Sequence, residues 1–589
     1  MKSFLKSVFA SMLGFLLGIF VVILFFGILI AGIVSSGSGE VKVSDNTVLE
    51  LKLSGDVPER LANNPFEAFG DPSGSGVAPA VGLDKIIRGL DRAKNDPKIK
   101  GILLRTDLYA GGLATADEIR TKILEFRKSG KFVYAYAEVM TDGGYFIASA
   151  CDKIYLNPKG FIEFNGFAGR VAFYKGMLDK LGVEFEVFKA GKYKGAVEPF
   201  IQTSLSEPNK EQIKAYITQL FGYHIKTIAQ SRKLDSAQLA DVAHKFLARN
   251  AKTSLEYKLV DGLKYEDEVE SEIRKKIGLK EDEKFKPMGF AAYTKSEDNE
   301  AYSKDKIAVI YATGEINMGK NESGDGIGSE TIAASIRKAR LDKSIKAVVL
   351  RVNSPGGSSN ASDIIAREVE LCKKVKPVII SFGDVAASGG YYIACGGDSI
   401  FAYPNTVTGS IGVFALIPNT SKLYKEKMGL AYETVPTGEF ANGWRPDQPL
   451  SDGMRMYFQE MVQDIYGDFI QIVAKGRKLD TATVAGLAEG HVYTAMQAKQ
   501  LKLVDQYGGI QRAIQSAAWK AKLKEYRVVS LPTLKTPFEM LFGDNAAGEV
   551  AQQVLQAEMG DVYSTWKQVR KMEEWRGVQM RMPWTITVE

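Results

Sequence analysis

The feature that most constrains the fold is that the chain repeats itself. Leu90 to Arg105 (LDRAKNDPKIKGILLR) aligns with Ile336 to Arg351 (IRKARLDKSIKAVVLR), and Asp142 to Pro158 (DGGYFIASACDKIYLNP) aligns with Ser388 to Pro404 (SGGYYIACGGDSIFAYP). Both pairs share one offset, since 336 − 90 and 388 − 142 are each 246. A constant spacing across separate segments marks a duplicated structural unit. The two copies must therefore share a fold, and the positions where they disagree become informative. One of these holds Asp142 in the first copy and Ser388 in the second.

The repeat extends further with small slips. Ser206 to Asp235 answers Ser451 to Asp480 at an offset of 245, and both read as amphipathic helices opened by a serine N-cap. LVDG at Leu259 and LVDQ at Leu503 close the copies, and the charged stretch from Lys264 to Lys306 reads as a surface helix and linker. The predicted boundary lies near Ser303. In the second copy, Ile307 to Gly314, Lys346 to Asn353 and Pro377 to Asp384 are apolar runs ended by turn residues, with a helical stretch from Ala361 to Lys374 between the last two. That alternation predicts an α/β fold with crossover units on a mostly parallel sheet. Ligand chemistry in such folds gathers at the carboxyl ends of the strands, where Asn353 to Gly357 and Ala386 to Gly390 fall.

Composition narrows the function. With 45% hydrophobic and 25% charged residues the chain reads as an ordinary folded protein. Its net charge of +6 is not gathered into a basic run, which argues against nucleic acid as a partner. Cys151, Cys372 and Cys395 make an odd count, so a disulfide framework is not expected. Three histidines, His224, His244 and His491, are too few and too scattered for a histidine metal centre, and no cofactor is expected. GEINMGK (Gly314 to Lys320) approaches a phosphate-binding loop, but Asn321 stands where Ser or Thr is required.

The N-terminus runs without charge from Val8 to Val34. As a helix this run would span roughly 40 Å at ~1.5 Å per residue, enough to cross a bilayer. Lys2 and Lys6 precede it, which predicts a cytoplasmic N-terminus and export of the rest of the chain. A cleaved leader would have an apolar region of only ~7 to 15 residues, so a retained anchor is expected. The resulting division is 1–38 for the N-terminus and transmembrane anchor, 48–302 for the first repeat with its linker, 303–531 for the second repeat, and 532–589 for a C-terminal helical extension.

Aligning GKYKGA (Gly191 to Ala196) with GEFANG (Gly438 to Gly443) sets Lys194 opposite Ala441. One copy keeps a lysine and lacks the serine, while the other keeps the serine and lacks the lysine. Complementary loss is what a single composite site would leave behind. A serine hydroxyl is a weak nucleophile that needs a neighbouring base. Lysine can serve only when neutral, so burial must lower its pKa from ~10.4. Lys189 and Lys192 are rival bases, and Glu198 either orients Lys194 or begins a helix. Backbone N–H donors for an oxyanion are expected from Gly389 and from Gly356 or Gly357, with Gly357 preferred.

RVNSPGGS followed by ASGGYYIA resembles the Clp/crotonase superfamily, and with the anchor and the duplication the chain resembles the long form of the signal peptide peptidase A (protease IV) family. Tyr193-Lys194-Gly195-Ala196-Val197-Glu198-Pro199 matches that family's lysine motif, and the resemblance covers Val48 to Leu531. It implies two tandem Clp/crotonase-like repeats, Ser388 as nucleophile and Lys194 as general base. It also implies peptide substrates such as signal-peptide remnants, a homotetramer, and a place in the bacterial inner membrane with the catalytic part on the extracytoplasmic side. The competing expectations are a crotonase-type acyl-CoA enzyme and a non-catalytic membrane scaffold. Export argues against the first, because coenzyme A is cytoplasmic, and the retained serine and lysine argue against the second.

Overall fold

A computed structural model describes residues 12–15, 17–21, 42–61, 81–280, 283, 285–296, 303–321, 326–438, 440–534 and 577–582. The first copy builds a sheet in the spatial order Gly262–Leu263, Lys153–Ile162, Phe132–Met140, Ile99–Arg105, Thr47–Lys52 and Met288–Gly289. Every neighbouring pair in it is parallel. The second copy repeats that order with Gln506–Tyr507, Ser399–Ala402, Val378–Ala387, Ile345–Ser354, Lys306–Thr313 and Arg527–Leu531, again all parallel. Val407–Gly409 adds in parallel beyond Val378–Ala387, and Val492–Thr494 pairs antiparallel with it. The mostly parallel α/β architecture read from the sequence is thus present twice.

The central strands are buried along almost their whole length, as in Ile345–Ser354, because helices cover both faces. Alternation sorts their side chains. Val348, Leu350 and Val352 face one core together with Ile365, Phe458 and Val462. Ala347 and Val349 face another with Ala513 and Ala517 of helix Ile510–Lys520. In the first copy Glu266–Ile277 covers the matching face through Val269 and Ile273. The long helices Glu207–Arg232 and Asp452–Arg477 begin after Ser206 and Ser451 as expected. Only Ser451 caps with its side chain, accepting from the Met454 N–H; the Ser206 hydroxyl instead donates to Glu198.

A third sheet joins the copies, and the sequence patterns do not announce it. Its order is Ile327–Gly328, Ile316–Asn317, Gly356–Ser358, Val578–Arg581, Val413–Asn419 and Glu184–Ala190. Glu184–Ala190 comes from the first copy and pairs antiparallel with Val413–Asn419 of the second over seven residue pairs. The expected helical extension at 532–589 is corrected where it is described, since Val578–Arg581 is a buried strand inside this sheet. Apart from 577–582, residues 535–589 lie outside the described residues. So does most of the apolar N-terminal run, whose described parts, 12–15 and 17–21, are helical and exposed. Among the described residues no helix is long and apolar enough to cross a membrane.

Candidate active site

Strand Val378–Ala387 runs out at the carboxyl edge of the second sheet, and Ser388 follows it at φ 55° and ψ −118°. A non-glycine residue there stores strain of order 1–3 kcal/mol and persists only where its surroundings hold it. The Ser388 N–H donates to the Gly409 carbonyl at 2.8 Å, and the Ser388 carbonyl accepts from the Tyr392 N–H at 2.8 Å. Pinned on both sides, the hydroxyl is turned out of the strand direction at the head of the short helix Gly389–Tyr392.

Lys194 reaches this point from the other copy. It follows strand Glu184–Ala190, and its loop is strapped to the second copy by backbone contacts. The Tyr193 N–H donates to the Glu489 carbonyl at 2.8 Å, and the Lys192 N–H donates to the Glu489 carboxylate at 2.9 Å. Gln212 spans the seam, donating to the Tyr193 carbonyl at 3.0 Å and accepting from the Val492 N–H at 3.2 Å. Gly490, at φ 74°, lets the strap close, because a Cβ there would stand 2.7 Å from the Lys194 nitrogen.

Lys194 Nζ lies 2.7 Å from Ser388 Oγ, and both residues are 0% exposed. The amine also lies 3.0 Å from the Ser410 carbonyl and 3.0 Å from the Ser410 hydroxyl. Burial pushes the Lys194 pKa well below its ordinary value, because the charged form loses its hydration. Of the rival bases, Lys189 and Lys192 are exposed. Glu198 does not orient the lysine. Its carboxylate accepts from the Ser206 N–H, the Ser206 hydroxyl and the Asn209 amide, bracing the start of helix Glu207–Arg232. The duplicate positions have gone elsewhere: Ala441 is exposed on a loop, and Asp142 is buried with an oxygen 3.7 Å from His224 Nε2.

The glycines close the site. Gly356 sits at φ 100°, and a Cβ there would stand 2.0 Å from the Met580 carbonyl oxygen and 2.7 Å from the Gly389 nitrogen. A Cβ on Gly389 would stand 3.0 Å from that same oxygen and 3.2 Å from the Gly357 nitrogen. The Gly389 and Gly357 amides therefore border one small space. The Gly356 N–H is already engaged, donating to Ser354 Oγ at 3.1 Å, which separates the two glycines the sequence left as alternatives. Ser410 is the residue sequence reasoning missed. It holds a left-handed φ of 50°, and the offset of 246 places Phe164 opposite it. A polar residue facing an aromatic one across the repeat was the signal.

Comparison with known proteins agrees with this duplicated layout. The sequence pattern of peptidase family S49 matches residues 125–280 and again 370–524. The chain is 36% identical to "Protease 4" of Salmonella typhi over 485 residues, which covers 81% of this chain and 78% of that one. It is 35% identical to "Protease 4" of Haemophilus influenzae over 518 residues, covering 84% and 83%. Identity to "Serine protease SPPA, chloroplastic" of Arabidopsis thaliana is 30% over 503 residues, covering 84% and 72%. A pattern found twice, at the two copies that the internal repeat defines, and relatives aligned over most of their length place the chain in peptidase family S49, as a serine protease.

Proposed function

We propose that the chain is a membrane-anchored serine endopeptidase in which Ser388 is the nucleophile, Lys194 the general base, and the Gly389 and Gly357 N–H groups the oxyanion donors. The 2.7 Å approach of a fully buried amine to the Ser388 hydroxyl carries this reading. In its neutral form Nζ has one lone pair and two protons. The protons can be donated to the Ser410 carbonyl and hydroxyl, which leaves the lone pair aimed at the Ser388 O–H. Nζ takes that proton as Oγ attacks the peptide carbonyl carbon, and the ammonium then protonates the departing amine. Water repeats the sequence on the acyl-enzyme, with Lys194 again accepting the proton. The negative oxygen of each tetrahedral intermediate lies between the two glycine amides, donors fixed in the backbone beside Ser388.

The apolar run from Val8 to Val34 supports an anchor that holds the catalytic part on the extracytoplasmic face of a bacterial inner membrane. The family resemblance supports signal-peptide remnants as substrates and a homotetrameric assembly. Peptide hydrolysis by Ser388→Ala, Lys194→Ala, Lys194→Arg and the double variant tests the dyad, with circular dichroism to confirm folding. Each single change should lower kcat by about 10⁴-fold or more, and the double should cost no more than either, because the members act as a unit. Arginine keeps the charge but cannot deprotonate, so a folded Lys194→Arg variant with near-parental hydrolysis would remove lysine as the base.

A further inference from the structure

Among the described residues, the third sheet consists of two halves that pair only through Val578–Arg581. On one side lies Gly356–Ser358, backed by Ile316–Asn317. On the other lies Val413–Asn419, backed by Glu184–Ala190 of the first copy. Val578–Arg581 runs antiparallel to both, pairing Met580 with Gly357 and Gln579 with Ser358 on one edge, and Gln579 with Phe414 and Val578 with Ala415 on the other. Without this strand, two strand edges with unpaired N–H and C=O groups would face each other across the width of one strand. Such a slot receives an extended peptide through main-chain hydrogen bonds, with pockets for alternate side chains. Its edges are built from the elements that deliver Gly357, Ser410 and Lys194.

The strand's position along the slot bears on the chemistry. The Met580 carbonyl oxygen borders the space between the Gly389 and Gly357 amides, where the reactive carbonyl of a substrate must sit. The Met582 N–H donates to the Pro355 carbonyl at 2.7 Å, and the Ser359 hydroxyl donates to the Val578 carbonyl at 3.0 Å. Side chains alternate as a bound peptide's would. Val578 and Met580 join the second copy's core, and Met582 packs with Ala387 and with Ile213, Tyr216 and Leu220 of the first copy. Arg581 points the other way and is ion-paired with Glu315.

We propose that Val578–Arg581 is a resident occupant of the enzyme's own peptide groove, an intramolecular competitor that must leave before a substrate enters. Its pattern states what the groove accepts: an extended peptide with apolar side chains at alternate positions and a basic residue set against Glu315. This rests on the assignment of Ser388 as nucleophile. Substrate affinity falls by the fraction of molecules whose slot is closed.

The test uses the Ser388→Ala background, so that binding is read without turnover. A fluorescent peptide of the sequence 577–583, GVQMRMP, is titrated by anisotropy against the full chain and against a chain ending at Arg576. The shortened chain should bind at least about tenfold more tightly. Full-length Met580→Asp, which sets a charge into an apolar pocket, should reproduce the gain and serves if the shortened chain does not fold. Glu315→Lys in the open-slot protein should weaken this peptide and favour one carrying Glu in place of its Arg. Equal affinity for open and closed forms, or no binding to a folded open form, would make the strand a permanent wall and overturn the proposal. Hydrolysis surviving in Ser388→Ala would instead fault the nucleophile and leave the binding result standing.

Discussion

Replacing Arg351 with methionine should destabilise the protein far more than the same change at its duplicate, Arg105. The two arginines occupy equivalent positions, 246 residues apart, on equivalent strands. Arg105 pairs with Glu50 at 2.7 Å and with Glu266, which is 51% exposed. Arg351 is 1% exposed and lies between the copies. It donates to both oxygens of Glu59 at 2.9 Å, to Glu118 at 2.9 Å, to Ser381 at 3.0 Å and to the Phe382 carbonyl at 2.8 Å. Removing one member of a buried pair costs about 3–5 kcal/mol, because the partner charge is left uncompensated. Removing Arg105 should cost less, because its partners Glu50 and Glu266 are 16% and 51% exposed and water can solvate the carboxylates left behind. Acidity adds a signature. Burial already raises the Glu59 pKa, and Arg351 is the largest influence lowering it. In the variant that restraint is gone and the folded-state value climbs further. A carboxyl group whose folded pKa lies above its unfolded value contributes stability below ~4.3 and loses it as pH rises through the folded value. The penalty of Arg351→Met should therefore grow from pH 5 to pH 8. Urea midpoints of both variants at the two pH values decide the matter. A shift at Arg351 no larger than that at Arg105, or one flat with pH, would refute the view that this arginine fixes the copies together. Hydrolysis should fall alongside, since a displacement of about 1 Å can cost about 100-fold.

The buried amine makes its own pH predictions. The proposed mechanism needs neutral Lys194, so kcat/KM should rise along an acidic limb whose midpoint lies well below ~10.4. For stability the sign comes from proton binding. Between the lowered folded pKa and ~10.4 the unfolded chain holds a proton that the folded chain does not, so the folded state is penalised in full below the lowered value and relieved as pH approaches ~10.4. Lys194→Met should accordingly raise stability at pH 7, with a gain that shrinks toward pH 10. A methionine variant less stable than its parent at pH 7, measured by urea denaturation, would contradict this.

Much of the fold was legible because the chain states it twice. Alternating apolar runs predicted the parallel sheets, and offsets near 246, with slips of one or two residues, aligned the segments of the first copy with those of the second. The third sheet was not legible. Its pairing of Glu184–Ala190 with Val413–Asn419 joins segments more than 200 residues apart, and local periodicity records which residues form a strand but not which distant edge it seeks. Val578–Arg581 was harder still, with four residues in a segment expected to be helical. The boundary near Ser303 separates the two parallel sheets, yet the first copy's Glu184–Ala190 belongs to a sheet made mainly by the second. A division by sequence repeat and a division by hydrogen bonding differ wherever duplicated units exchange a strand.

That exchange explains why the site could be read from complementary loss. The proposed base role of Lys194 requires burial to lower its pKa, and the second copy supplies the enclosure through Glu489, Gly490 and Ser410. In the second copy's own frame the equivalent residue, Ala441, is exposed, where a lysine would stay protonated at neutral pH. Likewise Asp142, the counterpart of the proposed nucleophile, turns to His224 in its own core. Arg351 and Arg105 diverged in the same way, one drawn into the seam and the other left near the surface. At two pairs of matched positions, 142/388 and 164/410, a left-handed φ is kept in the second copy alone. Ser388 and Ser410 both hold left-handed φ values, and both contact the amine that the other copy brings. A site assembled across the seam is therefore only as exact as the seam, which is why the buried arginine, remote from the reacting atoms, should matter to both stability and turnover.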